Sequence, residues 1–172
     1  MGYMKLRELQ IKDAYRMYEW MHNADVIKDL HTDFYRLTLN DCFTFIANAT
    51  QKSSALHLAI ANDNDEYMGT VSLKNIRDSS AEFAIAVHPE AMGRGYSIFA
   101  MEKILEIGIK NYNLRNIYWC VSPANKRAIR FYDKNNFKRI DYQNLSLPNN
   151  VCYSDEEKRH YIWYSYENNK LL

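Results

Sequence analysis

Two glycines one residue apart, Gly93 and Gly95, stand between an apolar run that ends at Val87 and an amphipathic run that opens near Ser97. A strand, a double-glycine turn and a helix start constrain this chain more than any other feature. Glycine lets the backbone turn sharply and come close to a ligand. A helix start aims unpaired amides and the positive end of its dipole at the same point. Together they make an anion site suited to phosphate. A dinucleotide fingerprint fits poorly: Ile98 stands where the third glycine belongs, and five residues, His88 to Met92, part the strand end from Gly93. No Lys-Ser or Lys-Thr pair follows the glycines, so a triphosphate loop fits worse. A tight loop that needs glycine for its angles is the remaining alternative.

The flanking pattern sets the context. Strands are predicted over 5–9, 56–61, 67–76, 80–87, 116–121, 138–145 and 159–166, and helices over 12–22, 38–49, 97–111 and 125–135, with a loop and a helical turn over 25–37. Ile98, Met101, Ile104, Leu105 and Ile109 mark one face of the longest helix. Thr38 with Asp41 reads as a helix start, and Asn125 as a helix cap. Strand-helix-strand over 80–121 implies a parallel pair; the rest reads as antiparallel. The expected fold is α/β: one domain over 1–172 with a mixed, mostly antiparallel seven-stranded sheet and helices on both faces.

Composition enters by exclusion. A formal net charge of +1 argues against nucleic acid as a partner, and no apolar run reaches membrane-spanning length. Cys42, Cys120 and Cys152 are odd in number and widely spaced, so neither a metal site nor a disulfide framework is expected. Residues 1–4 lack a signal-peptide core, Leu6 breaks the myristoylation pattern, and Met4 reads as a second candidate start. A cytoplasmic location follows as the expectation.

Downstream of the turn come Asn125, Ala128, Tyr132 and Asn136-Phe137, and upstream Gly69-Thr70-Val71, Ala81-Glu82-Phe83 and Val87-x-Pro89. With Met92-Gly93-Arg94-Gly95-Tyr96-Ser97 this ordered set resembles the GNAT superfamily of acetyl-CoA-dependent N-acetyltransferases. Three positions depart from the family pattern: Met92 for Arg or Gln, Ser97 for Gly or Ala, and Asn136 for the Gly before Phe137. The first two lie in a turn that works through backbone amides. Asparagine suits a left-handed cap.

The resemblance implies a splayed central pair of strands with acetyl-CoA in the gap. Pantetheine would meet main chain at Ala86 and Val87. The diphosphate would rest on the amides of Gly93, Arg94, Gly95, Tyr96 and Ser97 beside Met92, with Asn125 on a pantetheine amide. Tyr132 would give a proton to the leaving sulfur. Glu82 is the candidate base, sharing a strand face with Ala84, Ala86 and His88 by alternation, and His88 is a weaker one. No metal is implied.

The acceptor is expected to be a primary amine of a small molecule. Trp20, His22 and Asn23 resemble a segment of two subgroups, one modifying N-termini of ribosomal proteins and one modifying amino groups on nucleotide-linked sugars. The aromatic tail 161–166 suits a pocket wall or a homodimer contact, and Asp25, Asp29 and Asp33 would attract a polyamine. A peptide N-terminus is the alternative acceptor. From another class, the chain would be a CoA-binding protein without turnover.

Overall fold

In the computed structural model, residues 3–49, 53–148, 151 and 153–168 are described. Seven strands form one sheet in the order β1-β2-β3-β4-β5-β7-β6. They are β1 (Lys5–Glu8), β2 (Leu56–Ala61), β3 (Tyr67–Arg77), β4 (Ser80–Val87), β5 (Asn116–Val121), β6 (Lys138–Ile140) and β7 (Ile162–Glu167). The helices are α1 (Asp13–Met21), α2 (Ala24–Ile27), α3 (Leu39–Asn48), α4 (Tyr96–Tyr112), α5 (Lys126–Lys134) and α6 (Asp155–His160). Every neighbouring pair is antiparallel except β4 and β5, as the α4 crossover requires.

Local chemistry explains the helix ends. The Thr38 hydroxyl accepts from the Asp41 amide at 3.2 Å, and the Asp41 carboxylate accepts from the Thr38 amide at 2.7 Å. Reciprocal capping of this kind satisfies two amides that a helix start leaves without partners. Ser154 and Glu157 repeat the device at α6, whose last two residues, Arg159 and His160, open the strand predicted over 159–166. That strand begins only at Ile162. The predicted strand over 138–145 stops at Ile140 and gives way to a 3-10 turn, Tyr142–Asn144, capped by Asp141.

Apolar side chains sort onto two sheet faces. On one, α4 lays Ala100, Met101, Ile104 and Leu105 against Val71, Leu73, Phe83, Ile117 and Trp119. Gly108 lies in that stripe, whereas Ile98 and Ile109 are only half-buried. On the other, Ala14, Met17, Trp20, Cys42 and Ile46 from α1 and α3 cover Ala59 and Tyr67. Arg7 ties β1 to α1 through a two-pronged pair with the buried Asp13, at 2.7 and 2.9 Å. Arg7 also reaches Asp65 in the β2–β3 hairpin, where Lys5 and Lys12 join it. These three cations hold the Asp65 carboxyl well below its ordinary range.

The two central strands part. β4 and β5 pair only at Ser80–Asn116, Ala81–Ile117 and Glu82–Tyr118. Beyond Glu82, β4 stays with β3 as far as Val87, while β5 stays with β7 as far as Val121. Each strand follows its outer neighbour, and the sheet opens between them. The aromatic tail strand β7 lies inside the sheet, between β5 and β6, and buries Trp163 and Tyr164.

Candidate active site

The phase of the β3–β4 ladder decides what the opening offers. The His88 amide bonds to the Met68 carbonyl at 2.9 Å. Antiparallel pairing alternates, so Ala84 and Ala86 also turn their main chain to β3. Ile85 and Val87 turn theirs to the gap, beyond the last β5 partner. Val87 is therefore placed to meet a ligand strand through its backbone. Ala86 is not: its main chain faces β3, and its half-buried side chain packs with the cluster under α1 and α3. Ile85 is the further residue whose main chain faces the gap, a direction that side-chain alternation does not reveal.

The glycine turn closes one end of the gap. Gly93 and Gly95 adopt φ of 71° and 86°, the left-handed region that costs other residues roughly 1–2 kcal/mol. Space is not the reason, because an added Cβ at Gly93 meets nothing within 4 Å. Gly95 is the N-cap of α4 and no side chain caps that end. The first amide to find a carbonyl is Phe99, which bonds to Gly95 at 3.2 Å; among the described residues, those of Tyr96, Ser97 and Ile98 have none. Arg94 is exposed, reaching the Glu90 carbonyl at 3.3 Å and lying over the Tyr96 ring. Met92 packs toward α1 and α3, and its sulfur accepts from Arg127 of α5 at 3.0 Å.

The turn is pinned from α1. The Nε2 of His88 meets Glu19 at 2.9 Å, and its Nδ1 accepts from the Glu90 amide at 3.3 Å. Arg16 donates to Glu90 at 2.7 Å and to the Tyr67 carbonyl at 2.8 Å. His88 is thus a buried cap with both nitrogens engaged, not a free base.

Tyr132 sits on the α4 side of the sheet within an aromatic cluster. Its ring centroid is 5.3 Å from Trp119 and 5.0 Å from Tyr164, and Trp119 lies 5.4 Å from Phe83 across the mouth of the gap. The Tyr132 hydroxyl has no hydrogen-bond partner among the described residues. Burial pushes its pKa above the ordinary phenol value, so it keeps its proton at neutral pH. Asn125 caps α5 by accepting from the Ala128 amide at 3.1 Å. Its amide nitrogen stays unpaired among the described residues, so capping and ligand contact are compatible. Asn136 adopts φ of 60°, the left-handed cap expected of it.

Glu82 lies on the opposite face, buried, beside Tyr118 across the parallel pair. Tyr153 donates to its Oε1 at 2.8 Å and Asn75 to its Oε2 at 3.0 Å, with Lys74 at 3.6 Å. The Tyr118 hydroxyl is buried and without a hydrogen-bond partner among the described residues. Cys120, two residues on, is pushed by burial to a pKa of about 11 and keeps its proton at neutral pH. Tyr153 and Asn75 carry no periodic signal, since a loop and a bulge deliver them. Tyr118 falls on the same strand face as Cys120 and was legible only as alternation.

Around this face the remaining acceptor candidates are partly structural. Trp20 is buried and donates to the Tyr67 hydroxyl at 3.0 Å, so it does not stack on a ligand. Asn23 caps α2, and His22 bonds to the Tyr18 carbonyl at 3.0 Å. Asp25 and Asp33 pair with Lys28 and Arg36. His31 meets the Tyr161 hydroxyl at 2.5 Å, joining the loop after α2 to the start of β7. Cys152 lies outside the described residues, and among those described no cluster could hold a metal. No helix among them is long and apolar enough to cross a membrane.

Known proteins resemble this chain in sequence and in fold. Residues 4–138 match the model of a family described as an acetyltransferase (GNAT) domain. Acetyltransferase PseH of Campylobacter jejuni is 22% identical over 149 residues, covering 84% of this chain and 92% of that protein. Spermidine N(1)-acetyltransferase of Escherichia coli is 27% identical over 138 residues, covering 78% of this chain and 72% of the relative. The structure of Vibrio cholerae spermidine N-acetyltransferase in complex with CoA and spermine superposes with a TM-score of 0.72 at 18% identity, covering 94% of this chain and 92% of the other.

Proposed function

We propose that this chain, which belongs to the GNAT acetyltransferase family, transfers the acetyl group of acetyl-CoA to the primary amine of a small molecule. The observation that carries the reading is the position of two proton-handling groups on opposite faces of one gap. Glu82 stands on the face covered by α1 and α3, and Tyr132 on the face covered by α4. A thioester lying in the gap is reachable from both sides. The residues present suit the coenzyme: unpaired amides open α4, backbone of Ile85 and Val87 faces the gap, and Asn125 keeps a free amide nitrogen.

Acetyl-CoA supplies the activated acyl carbon. The amide groups opening α4 hold its diphosphate, with Arg94 available for a further charge contact. The Val87 and Ile85 amides supply hydrogen bonds to the arm and to the carbonyl oxygen as charge gathers there. An alkyl ammonium has a pKa of about 10 and must lose a proton before it attacks. Glu82 takes that proton, directly or through water. The new C–N bond forms as the C–S bond breaks; Tyr132 gives its phenolic proton to the departing sulfur, and the proton that the acylated nitrogen sheds passes through water to restore the phenol. The protonated Cys120 is a poor nucleophile, which supports direct attack over an acetyl-cysteine.

Small amines fit better than a large surface, since Glu82 is buried and its carboxylate is bonded by Tyr153. Two curated relatives are named for spermidine, and a polyamine joins amino sugars as a class to try first. A thiol-release assay with acetyl-CoA and a panel of polyamines, amino sugars and N-terminal peptides tests the reading. Release with small amines is the expected result. Release with peptides alone moves the acceptor to protein N-termini, and binding without release from any amine removes the catalytic reading.

A further inference from the structure

Two side chains that no sequence pattern singles out hold the Glu82 carboxylate, one on each oxygen. Tyr153 comes from the segment before α6 and donates to Oε1 at 2.8 Å. Asn75 comes from the far end of β3 and donates to Oε2 at 3.0 Å. Neither is delivered by a regular ladder. Asn75 sits at φ of 51°, where the β3–β4 register shifts between Lys74 and Arg77. A bulge of this sort bends a strand and re-aims a side chain, and a left-handed non-glycine residue persists only where its surroundings hold it there. The Tyr153 ring is held edge-on to Trp163 at 5.0 Å, and Trp163 is itself anchored by its indole N–H to the Lys158 carbonyl at 2.9 Å.

The donors are neutral, and the nearest cation is farther away. Lys74 stands at 3.6 Å with a side chain 41% exposed. A close cation would favour the charged carboxylate and weaken it as a proton acceptor. Two neutral donors fix its plane with less of that effect. A carboxylate offers about four lone-pair positions, so one donor per oxygen leaves room for an incoming N–H or water. The unpartnered Tyr118 hydroxyl lies in the same buried region.

Resting on the reading of Glu82 as proton acceptor, the geometry points to Tyr153 and Asn75 as positioning residues for acetyl transfer. They act through Glu82, clamping its carboxylate in one orientation before the amine arrives. Tyr153→Phe keeps the ring and removes the donor. Asn75→Gly removes the donor and leaves a residue at home at positive φ, so lost stability does not mimic the effect.

The test is a double-mutant cycle with Glu82→Gln on the full chain, reading kcat, KM for acetyl-CoA and thermal midpoint with an amine that the wild type accepts. Each variant is expected to lower kcat on the order of tenfold, a part of the hundredfold or more that general-base catalysis contributes. The KM for acetyl-CoA and the midpoint are expected to hold. In the Glu82→Gln background neither substitution lowers kcat further, because the group they position is gone. A full rate in either variant removes that residue from the role. An equal fall in both backgrounds makes the effect structural and overturns the proposal. A wild type that binds acetyl-CoA yet releases no thiol from any amine removes the base itself, and that result is read before any variant is made.

Discussion

Tyr132→Phe separates folding from chemistry because the hydroxyl bonds to nothing in the described residues. The ring contacts with Trp119, Phe131, Phe137 and Tyr164 all survive the change. No hydrogen bond is lost, so stability shifts by about 0.5 kcal/mol or less, a movement in Tm of roughly 2 °C at most for a chain of this size. In the proposed reading coenzyme binding rests on the turn and on β4, so the Kd for acetyl-CoA is expected to hold. The whole effect falls on the departing sulfur, which loses its proton donor. General-acid catalysis contributes about 10²–10⁴-fold, so kcat is expected to drop about a hundredfold, or roughly 3 kcal/mol of barrier. Continuous thiol release reads kcat, titration calorimetry reads Kd, and scanning calorimetry reads Tm. A kcat within twofold of wild type refutes the role of the phenol. A Tm loss of several degrees refutes the claim that its hydroxyl is free.

Gly95→Ala places a side chain at φ of 86° with its nearest neighbour, Met4 Cε, at 3.8 Å; the cost is backbone strain of about 1–2 kcal/mol without a clash, and calorimetry is expected to show lower Tm together with weaker acetyl-CoA binding. Tyr118→Phe deletes a buried hydroxyl that has no partner among the described residues, so chemical denaturation is expected to show a gain of about 1 kcal/mol. Burial raises the pKa values of the Tyr67, Tyr118 and Tyr132 phenols. Unfolded phenols then ionise first, near pH 10; the unfolded chain binds fewer protons there, and stability falls as pH rises past that value, which equilibrium unfolding between pH 8 and roughly 11 checks. Cys120, with its pKa pushed up to about 11, is expected to resist alkylation at pH 8 in the folded chain and to react fast once unfolded, as mass spectrometry will read.

Local signals carried far in this chain. The bounds of β2, β4 and β5 follow from alternation and turn residues alone, because each run is flanked by residues that cannot extend it. Thr38, Asp41 and Asn125 announced their caps, and Gly93 and Gly95 their left-handed turn, since the physics involved spans four residues or fewer. The two ends of the second half were harder. Strand propensity in 138–145 and 159–166 yields to Asp141 and Ser154 caps, which start a 3-10 turn and a helix.

Sequence by itself determined the order of the seven strands and of α1, α3, α4 and α5, and the double-glycine turn, because each depends on spacing along one segment. Only the folded chain decided how they meet. The parting of β4 from β5 arises because each strand keeps a different outer neighbour, a competition between segments distant in the chain. The phase of the β3 ladder turned the gap-facing amides to Ile85 and Val87. A bulge at Asn75 and a loop bearing Tyr153 supplied the clamp on Glu82, over separations of 7 and 71 residues. Hydrogen-bond direction and long-range pairing leave no period in a sequence, so those features belong to tertiary structure alone.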